Sequence, residues 1–326
     1  MNTKNLLTII AFCIINIALS QQKIVDSETK EPISYATISF GNGNGIFADD
    51  GGNFLFTKKL YSDIDTLYVS ALGYSELKLP TENLPKIINL DPQADKLQEV
   101  IVQNKPKGKF KLVTLDPTSH DDYYSCWLPT IEAETAVFFP NESPNIKRVT
   151  KLFLPIKTEA KTWHKRNRKD HKKRPFSTIF RVKFYENDNG FPGDVITYDE
   201  IIFIATEKTE KVYELDVSEN DIYMPKKGLF ASLQVLGYAD DKGKLLPNKK
   251  YQEVKTQRGI VKVSTTFRPL LPFTDKIAEN RTYVKRIFLD DGKWVLYKKG
   301  NIQKSALIAK GLDNYGMGLK MEVYKQ

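Results

Sequence analysis

Histidine, the side chain that most often serves acid–base catalysis and metal binding near neutral pH, is scarce in this chain. The sequence holds only His120, His164 and His171. None begins a His-x-x-Glu zinc motif, and there is no HExxH, CxxC or Gly-x-Ser-x-Gly motif and no phosphate-binding glycine loop. His164 and His171 lie within a run of positive charge, which opposes a bound cation. We therefore predict no cofactor, no metal site and no catalytic residues.

Three of the adjacent carboxylate pairs in the chain are candidates for a site. They are Asp121-Asp122, Asp240-Asp241 and Asp290-Asp291, the last followed by Gly292. Each pair lies where a turn is expected, and Asp-Gly is itself a hairpin signal. None has the spaced oxygen ligands of a dedicated calcium loop, although a calcium ion at a sandwich edge stays an alternative. A hydrolase with carboxylates from distant strands leaves no local signature and stays a second alternative.

Cys126 lies in an aromatic stretch, Tyr123-Tyr124-Ser125-Cys126-Trp127. The other cysteine, Cys13, falls in an apolar N-terminal run that we expect to be removed. A mature chain with one cysteine forms no internal disulfide, so its stability must come from packing. No histidine is near enough in sequence to suggest an activating base, and we predict a buried, unreactive thiol.

Positive charge is concentrated in residues 161–174, which contain eight Lys or Arg residues against the single acid Asp170. This local charge of +7 accounts for most of the formal net charge of +9. The segment follows a strand pattern that ends at Ile156 and precedes one that begins at Thr178. We therefore predict a long projecting loop, in which like charges repel one another and stay solvated.

Three interpretations of this basic segment stay open. It is a solvated loop without a ligand, or it binds an acidic polysaccharide or lipopolysaccharide phosphates, or it binds nucleic acid, which a secreted chain rarely meets. A binding loop would use Trp163 as a stacking platform. The candidate ligand-binding residues are Trp163, Lys165, Arg166, Arg168, Lys169, Lys172, Lys173 and Arg174, together with Trp127. Trp294, which follows a turn, is the tryptophan that we most expect in the core.

Short β-strands must position these residues. The patterns Phe180-x-Val182-x-Phe184 and Leu229-x-Ala231-x-Leu233-x-Val235 alternate with the period of a strand, and no stretch keeps a helical period for three turns. The predicted strands beyond residue 109 are 133–139, 149–156, 178–185, 201–205, 211–217, 229–236, 260–267, 293–298, 305–309 and 319–324. Strands of this number and spacing predict a two-sheet sandwich of jelly-roll type.

The N-terminus has the pattern of a secretory signal peptide. Lys4 precedes an apolar run, residues 6–19, and Ala18-Leu19-Ser20 forms a small-x-small cleavage site. The run is too short to favour a membrane anchor. We therefore predict export, with the mature protein in the periplasm, on the outer-membrane surface or outside the cell.

Residues 23–56 read as three short strands separated by turn residues. Residues 35–40 alternate polar and apolar side chains, and residues 49–53, Asp-Asp-Gly-Gly-Asn, supply the positive-φ positions that a hairpin turn needs. Two further strand patterns follow, one that ends in Gly73-Tyr74 and one at residues 87–90.

The order Asp26-x-x-Thr29-x-x-Pro32-Ile33, a glycine-rich turn, Asp49-Asp50 and Gly52-x-Phe54, followed by Gly73-Tyr74, resembles the carboxypeptidase-regulatory-like, transthyretin-like β-sandwich. The resemblance implies an accessory module without chemistry of its own. In Bacteroidota such modules precede outer-membrane TonB-dependent receptors, whose plug and barrel need several hundred further residues. Only about 220 residues remain here.

The expected organisation is therefore a signal peptide at 1–20, a carboxypeptidase-regulatory-like β-sandwich at 21–92, a linker at 93–108 and a larger jelly-roll-like β-sandwich at 109–326. The later part resembles an uncharacterised sandwich of Bacteroidota secreted proteins and, in outline, carbohydrate-binding modules. The expected fold class is all-β, a transthyretin-like sandwich followed by a jelly-roll-like one.

The expected function is that of a secreted, non-enzymatic binding or adaptor protein of the cell envelope. Its predicted ligand is a carbohydrate or an acidic envelope surface such as polysaccharide or lipopolysaccharide. One alternative is a structural accessory subunit that docks on an outer-membrane transporter or another secreted protein. The other is a hydrolase with an undetected carboxylate site.

Overall fold

The computed structural model describes residues 21–93, 106, 108–162, 164, 172–197, 199–248, 251–257, 259–289 and 292–325. Their regular structure consists of β-strands and short 3₁₀ turns, without an α-helix in these ranges, so the predicted all-β class is confirmed. No helix within the same ranges is long and apolar enough to cross a membrane. The predicted signal peptide and most of the predicted linker lie outside the described residues.

The strands are short, and most have two to seven residues. The N-terminal strands are β1 (Gln21–Asp26), β2 (Thr37–Ser39), β3 (Gly45–Phe47), β4 (Asn53–Leu55), β5 (Thr66–Ser70), β6 (Leu77–Pro80) and β7 (Ile87–Leu90). The strands that follow are β8 (Phe110–Leu115), β9 (Cys126–Trp127), β10 (Ala133–Phe139), β11 (Lys147–Pro155), β12 (Ser177–Asp188), β13 (Phe191–Val195), β14 (Ile201–Thr206), β15 (Val212–Asp216), β16 (Ile222–Tyr223), β17 (Leu229–Tyr238), β18 (Tyr251–Thr256), β19 (Gly259–Ser264), β20 (Leu271–Thr274), β21 (Thr282–Arg286), β22 (Val295–Leu296), β23 (Asn314–Tyr315) and β24 (Gly318–Tyr324).

The chain forms two compact units. The described parts of Met1–Gln98, Lys244–Val263 and Phe288–Asp290 make up the first unit, and those of Glu99–Gly243, Ser264–Ile287 and Asp291–Gln326 make up the second. The first unit thus includes two segments from beyond residue 109, which the contiguous boundaries expected from the sequence leave out. The reason is that spatial contact, unlike a composition pattern, is not confined to neighbouring parts of a chain.

In the first unit, β4, β1 and β7 form one sheet and β3, β2, β5 and β6 form another, while β18 and β19 make a two-stranded ribbon. β1 pairs antiparallel with β4 and parallel with β7. The alternation predicted over residues 35–40 buries Ala36, Ile38 and Phe40, which join an apolar core that includes Leu67 and Leu90.

The residues that resemble the regulatory-module motif hold turns in place. The Oδ1 atom of Asp26 accepts hydrogen bonds from the backbone N–H groups of Glu28 (2.7 Å) and Thr29 (2.8 Å). Its Oδ2 atom accepts one from the Tyr74 hydroxyl at 3.0 Å. The hydrogen bond from the Thr29 backbone N–H is the main reason why the pKa of Asp26 is lowered. Asp26 therefore ties the turn after β1 to the Gly73-Tyr74 turn.

The second unit contains three sheets. The largest has the order β13-β12-β17-β10-β21-β22, with β14 also paired to β12. A second sheet has the order β15-β11-β24-β8, with β16 paired to β11, and a third consists of β23, β20 and β9. The pairings within the largest sheet are antiparallel.

The two faces of the largest sheet differ. Phe180, Val182 and Phe184 of β12 are buried on one face, as their alternation predicts. The ring of Phe180 stacks on Phe203 of β14, and Phe203 contacts Tyr213 of β15 with 4.4 Å between ring centroids. This apolar face therefore packs towards the β15-β11-β24-β8 sheet. The intervening side chains of β12 belong to the opposite face.

One of the predicted strands is wrong. Residues 305–309 contain no strand, and the chain there forms a 3₁₀ turn at Ile308–Lys310. The Ser305 hydroxyl accepts the N–H of Ile308, and Gly311 closes the turn with a φ of 76°. These local bonds outweigh a short alternating pattern. The patterns also missed β8, β20 and β21, and the strand expected at 260–267 ends at Ser264.

Candidate ligand-binding site

A polar face lies on the largest sheet, on the side away from the apolar core. We define it by alternate residues of four adjacent strands: Arg181, Lys183 and Tyr185 of β12, Ser232 and Gln234 of β17, Glu134 of β10 and Lys285 of β21. Arg181 lies opposite Gln234, Gln234 opposite Glu134, and Glu134 opposite Lys285. Directly opposed residues of antiparallel strands share a face. The four side chains therefore form a row across the sheet.

Hydrogen bonds join the residues of the polar face into two groups, one around Arg181 and one around Glu134. Arg181 Nε donates to Gln234 Oε1 at 2.9 Å. Its Nη1 atom lies 3.2 Å from the carboxylate of Glu200, the residue before β14. Glu134 Oε1 accepts from the Tyr185 hydroxyl at 2.7 Å and from the Ser232 hydroxyl at 2.6 Å. Burial, and secondarily the adjacent Glu134 carboxylate, raises the pKa of Tyr185 well above its ordinary value, so the phenol stays a donor.

Two buried polar groups at this face have no partner among the described residues. One is Gln234 Nε2, and the other is the carboxylate of Glu132, which lies two residues before Glu134. Gln234 is 2% exposed and Glu132 is 1% exposed. Buried polar atoms in folded proteins nearly always have a hydrogen-bond partner in the protein or in bound water. Unsatisfied hydrogen-bonding capacity is therefore concentrated at this end of β10 and β17.

Lys183 has an unusual environment at the centre of the face. Its side chain is half-buried, and the described residues give it no hydrogen bond or ion pair. Burial, with a smaller contribution from the charge of Arg181, lowers the pKa of Lys183 to about 8, while Glu134 acts in the opposite direction. At neutral pH the side chain is mostly a protonated ammonium group whose donors are not used within the described structure.

Aromatic rings adjoin the polar face at its other end. Tyr185 meets Trp294 edge to face, with 5.6 Å between centroids, and Phe230 meets Tyr283 at 5.1 Å. Phe191 of β13 also contacts Tyr283 of β21, at 5.7 Å. In a flat sheet these strands, four positions apart, would be about 19 Å from each other. The contact therefore shows that the sheet curls and that this face is concave.

The predicted basic segment leaves and rejoins the second unit through a short antiparallel neck. Lys161 N–H donates to the Lys172 carbonyl and Arg174 N–H donates to the Glu159 carbonyl, both at 2.8 Å. Lys172, Lys173 and Arg174 are exposed. The remaining candidates of this segment, Trp163, Lys165, Arg166, Arg168 and Lys169, lie outside the described residues. Their role as ligand-binding residues stays a prediction.

Trp127 is packed within an aromatic cluster. It is half-buried on β9 and stacks on Phe273 at 5.7 Å, and it meets Tyr297 edge to face at 5.2 Å. Burial raises the pKa of the neighbouring Cys126 thiol to about 12, so the thiol stays protonated at neutral pH. The structure thus places Trp127 and Cys126 in a packing role, and among the described residues no contact joins Trp127 to the ends of the basic segment.

Three of the remaining acidic candidates from the sequence also have structural partners, whereas Asp290, Asp291 and His171 lie outside the described residues. Asp121 forms ion pairs with Lys157 (2.7 Å) and Lys211 (2.6 Å), and these two bonds are the main cause that lowers its pKa to about 2. Asp122 accepts from the N–H of Tyr124 and Asp240 from that of Lys242, as expected for turns. Within the described ranges, no group of three or more His, Cys, Asp or Glu side chains is placed to hold a metal ion.

The sequence patterns identified three strands of the polar face, β10, β12 and β17, but neither β21 nor the face itself. The apolar members of β12 and β17 reveal the strand period, and Arg181, Lys183, Ser232 and Gln234 occupy the intervening positions. Their periodicity is the signal that was available. Their association with Glu134 and Lys285 depends on strand order and register, which a single sequence does not specify.

The fold and site together define an all-β chain with a small first unit and a larger unit that carries a concave polar and aromatic face. Residues 23–102 match the CarboxypepD_reg-like domain family, so the chain carries such a domain over about a quarter of its length. The matched range extends beyond the boundary at residue 92 that the resemblance indicated. No curated protein matches the chain.

Distant likenesses to solved structures involve Cwp84, a surface layer associated protein of Clostridium difficile. A structure of its cysteine protease and lectin-like domains has 11% identity and a TM-score of 0.30, over 58% of this chain and 32% of that one. A structure of the clostridial cysteine protease Cwp84 after propeptide cleavage has 10% identity and a TM-score of 0.32, over 86% and 51%. This chain thus spans about a third to a half of those chains. Scores this low establish neither a shared fold nor a shared activity.

Proposed function

We propose that this protein is a non-enzymatic binding protein of the cell envelope and that the concave polar and aromatic face of its second unit holds a polysaccharide. The observation that carries the proposal is the association of a half-buried ammonium group without a partner among the described residues, that of Lys183, with partly exposed rings of Tyr283 and Trp294 on one curled sheet. Ligand sites in proteins combine an apolar wall with a few convergent polar groups in this way.

The chemistry of a sugar fits such a face. A pyranose presents hydroxyl groups at its rim and C–H groups on its faces, so it needs donors, acceptors and a ring to pack against. Arg181, Gln234 and Glu134 are 4%, 2% and 4% exposed and form the floor of the face, where Arg181 bonds to Gln234 and Glu134 bonds to Tyr185. The partly exposed Lys183 and Lys285 supply donors above this floor. Trp294 supplies the ring, and the concave curvature offers a course along which a chain of sugars can lie.

Two further parts of the proposal come from the sequence. The pattern of residues 1–20 supports export, because an apolar run is followed by a small-x-small site. A binding role is favoured over hydrolysis because Glu134, the carboxylate at the centre of the face, is held by the hydroxyls of Tyr185 and Ser232. The exposed residues 172–174 and the rest of the basic segment would add attraction for an acidic envelope surface.

The test is binding of the mature protein to a panel of neutral and acidic polysaccharides and lipopolysaccharide at low and high salt. Two variants accompany it: replacement of residues 163–171 by a neutral linker, which spares the neck, and Trp294→Leu, checked for folding by its melting temperature. We expect glycan binding that survives high salt and the loop replacement, because screening weakens long-range charge attraction but spares packing. We expect Trp294→Leu to weaken it about tenfold.

Other outcomes would overturn the assignment. Binding that disappears with the loop replacement and at high salt would place the site on the basic segment. Absence of binding to every member of the panel would exclude glycan recognition. Unchanged affinity of a folded Trp294→Leu protein would remove the aromatic cluster from the site.

A second candidate function is docking on a protein partner of the envelope. The β18–β19 ribbon exposes apolar side chains, with Ile260 69% exposed and Val254, Val261 and Val263 between 39% and 44% exposed. Neither ribbon strand has a further strand partner within the described ranges. An extended strand of another envelope protein could pair with such an edge. This function becomes the better account if the polysaccharide panel gives no binding and Ile260→Lys prevents association with an envelope protein.

A further inference from the structure

We propose that the polar face selects a carboxylated polysaccharide, one with uronic acid units, and that Lys183 is the residue that recognises the sugar carboxylate. This inference rests on the proposed glycan-binding function and specifies its ligand class. Arg181 is paired with Glu200, and Glu134 accepts from the two neutral hydroxyls of Tyr185 and Ser232.

The two lysines of the face that have no ion pair determine its preference for an anionic ligand. Lys183 has no ion pair within the described residues, and the same is true of Lys285, whose Nζ lies 5.9 Å from the centre of the Trp294 ring. An ammonium group that is half-buried beside fixed donors gains more from an anion than it would in open solvent. A sugar packed against Trp294 would therefore be recognised by its carboxylate as well as by its hydroxyls.

The neighbours of Lys183 allow it to titrate in an accessible range. The groups on the adjoining elements are Arg181 and Tyr185 of β12, Ser232 and Gln234 of β17, Glu134 of β10, Tyr283 and Lys285 of β21, and Glu200 before β14. Burial lowers the pKa of Lys183 to about 8, whereas Tyr185 is shifted in the opposite sense, away from neutrality. Raising the pH through about 8 therefore neutralises Lys183, while a sugar carboxylate stays ionised.

A matched pair of ligands tests this inference: polygalacturonate and its fully methyl-esterified form, which share a backbone and differ in charge. We expect the acidic form to bind the intact mature protein about tenfold more tightly at neutral pH, as one charge-assisted hydrogen bond supplies. We expect this preference to disappear in Lys183→Gln. The control variant is Lys151→Gln, which removes the same charge from β11, where Lys151 pairs with Glu214 at 3.2 Å.

The pH dependence separates recognition by Lys183 from a general charge effect. Binding of polygalacturonate should weaken as the pH rises through about 8 in the wild-type protein, and Lys183→Arg should keep the acidic preference while removing this dependence. Equal affinity for the acidic and esterified forms, or an unchanged preference in folded Lys183→Gln, would overturn the inference and leave glycan binding intact. If neither form of polygalacturonate nor any other glycan binds, the proposed function is overturned as well.

Discussion

Single side chains in this protein show how a polar residue can support either a turn or a binding surface. Asp26 and Asp49 both accept backbone N–H groups near β-strand ends, and Asp49 Oδ1 accepts from Gly51 and Asn53. Arg181 and Glu134, in contrast, are held by side chains from neighbouring strands. The aspartates satisfy local backbone groups, whereas the sheet residues are arranged around a shared concave face.

The Asp26 carboxylate should make the stability of the protein depend on pH. Its pKa is lowered in the folded state, chiefly by the Thr29 N–H bond, so its contribution is present above the unfolded pKa of about 3.9 and is lost as the pH falls through the folded pKa. We expect Asp26→Asn to lower the urea midpoint of unfolding at neutral pH. The difference in midpoint between the variant and the wild-type protein should become smaller in acid. The control is Asp91→Asn, an exposed carboxylate of the same unit. A difference in midpoint that is the same in neutral and in acidic buffer would contradict this account.

At the level of strands and turns, short-range patterns predicted what local chemistry controls. Residues 49–53 were expected to form a hairpin turn with positive φ, and Gly52 has a φ of 74°. The alternation of Phe180, Val182 and Phe184 was correctly assigned to one buried face. The 305–309 strand was wrong because a 3₁₀ turn satisfied the same residues locally. The short strands β9, β16 and β23, with two residues each, carry too little periodicity to be recognised.

The turn at Gly52 offers a test in which two glycines are compared. Both Gly52 and Gly73 have positive φ, 74° and 82°, but a Cβ on Gly52 would lie 2.5 Å from the Ile24 carbonyl oxygen, whereas one on Gly73 meets nothing within 4 Å. We expect Gly73→Ala to lower the free energy of unfolding by about 1 kcal/mol, because alanine disfavours the positive φ of this position. Gly52→Ala should lower the free energy of unfolding by about 3 kcal/mol, because the backbone must also move to relieve the contact with the Ile24 carbonyl oxygen.

Chemical unfolding of the two alanine variants measures this difference. We expect a clearly lower urea midpoint for Gly52→Ala than for Gly73→Ala. The free energy of unfolding should depend on urea concentration with a similar slope in both variants. Equal losses would mean that the turn does not approach β1 as closely as described.

At the level of the whole chain, the sequence indicated an all-β protein with a regulatory-like N-terminal module, but it did not indicate the site now proposed. The row from Arg181 to Gln234, Glu134 and Lys285 joins residues about 150 positions apart, and its members meet only through strand order and register. The basic segment, in contrast, stands out in composition because its residues are contiguous. A contiguous pattern is therefore easier to detect than a site assembled by a sheet.

The three tryptophans provide the most direct test, since each marks one candidate binding region. Trp294 marks the concave face, Trp127 the aromatic cluster of β9 and Trp163 the basic segment. Fluorine NMR of protein labelled with fluorotryptophan, with signals assigned by single Trp→Phe variants, reports on all three during titration with a binding polysaccharide. The account predicts that the Trp294 signal shifts with saturation while the Trp127 signal stays fixed. A shift of the Trp163 or Trp127 signal with an unchanged Trp294 signal would contradict it.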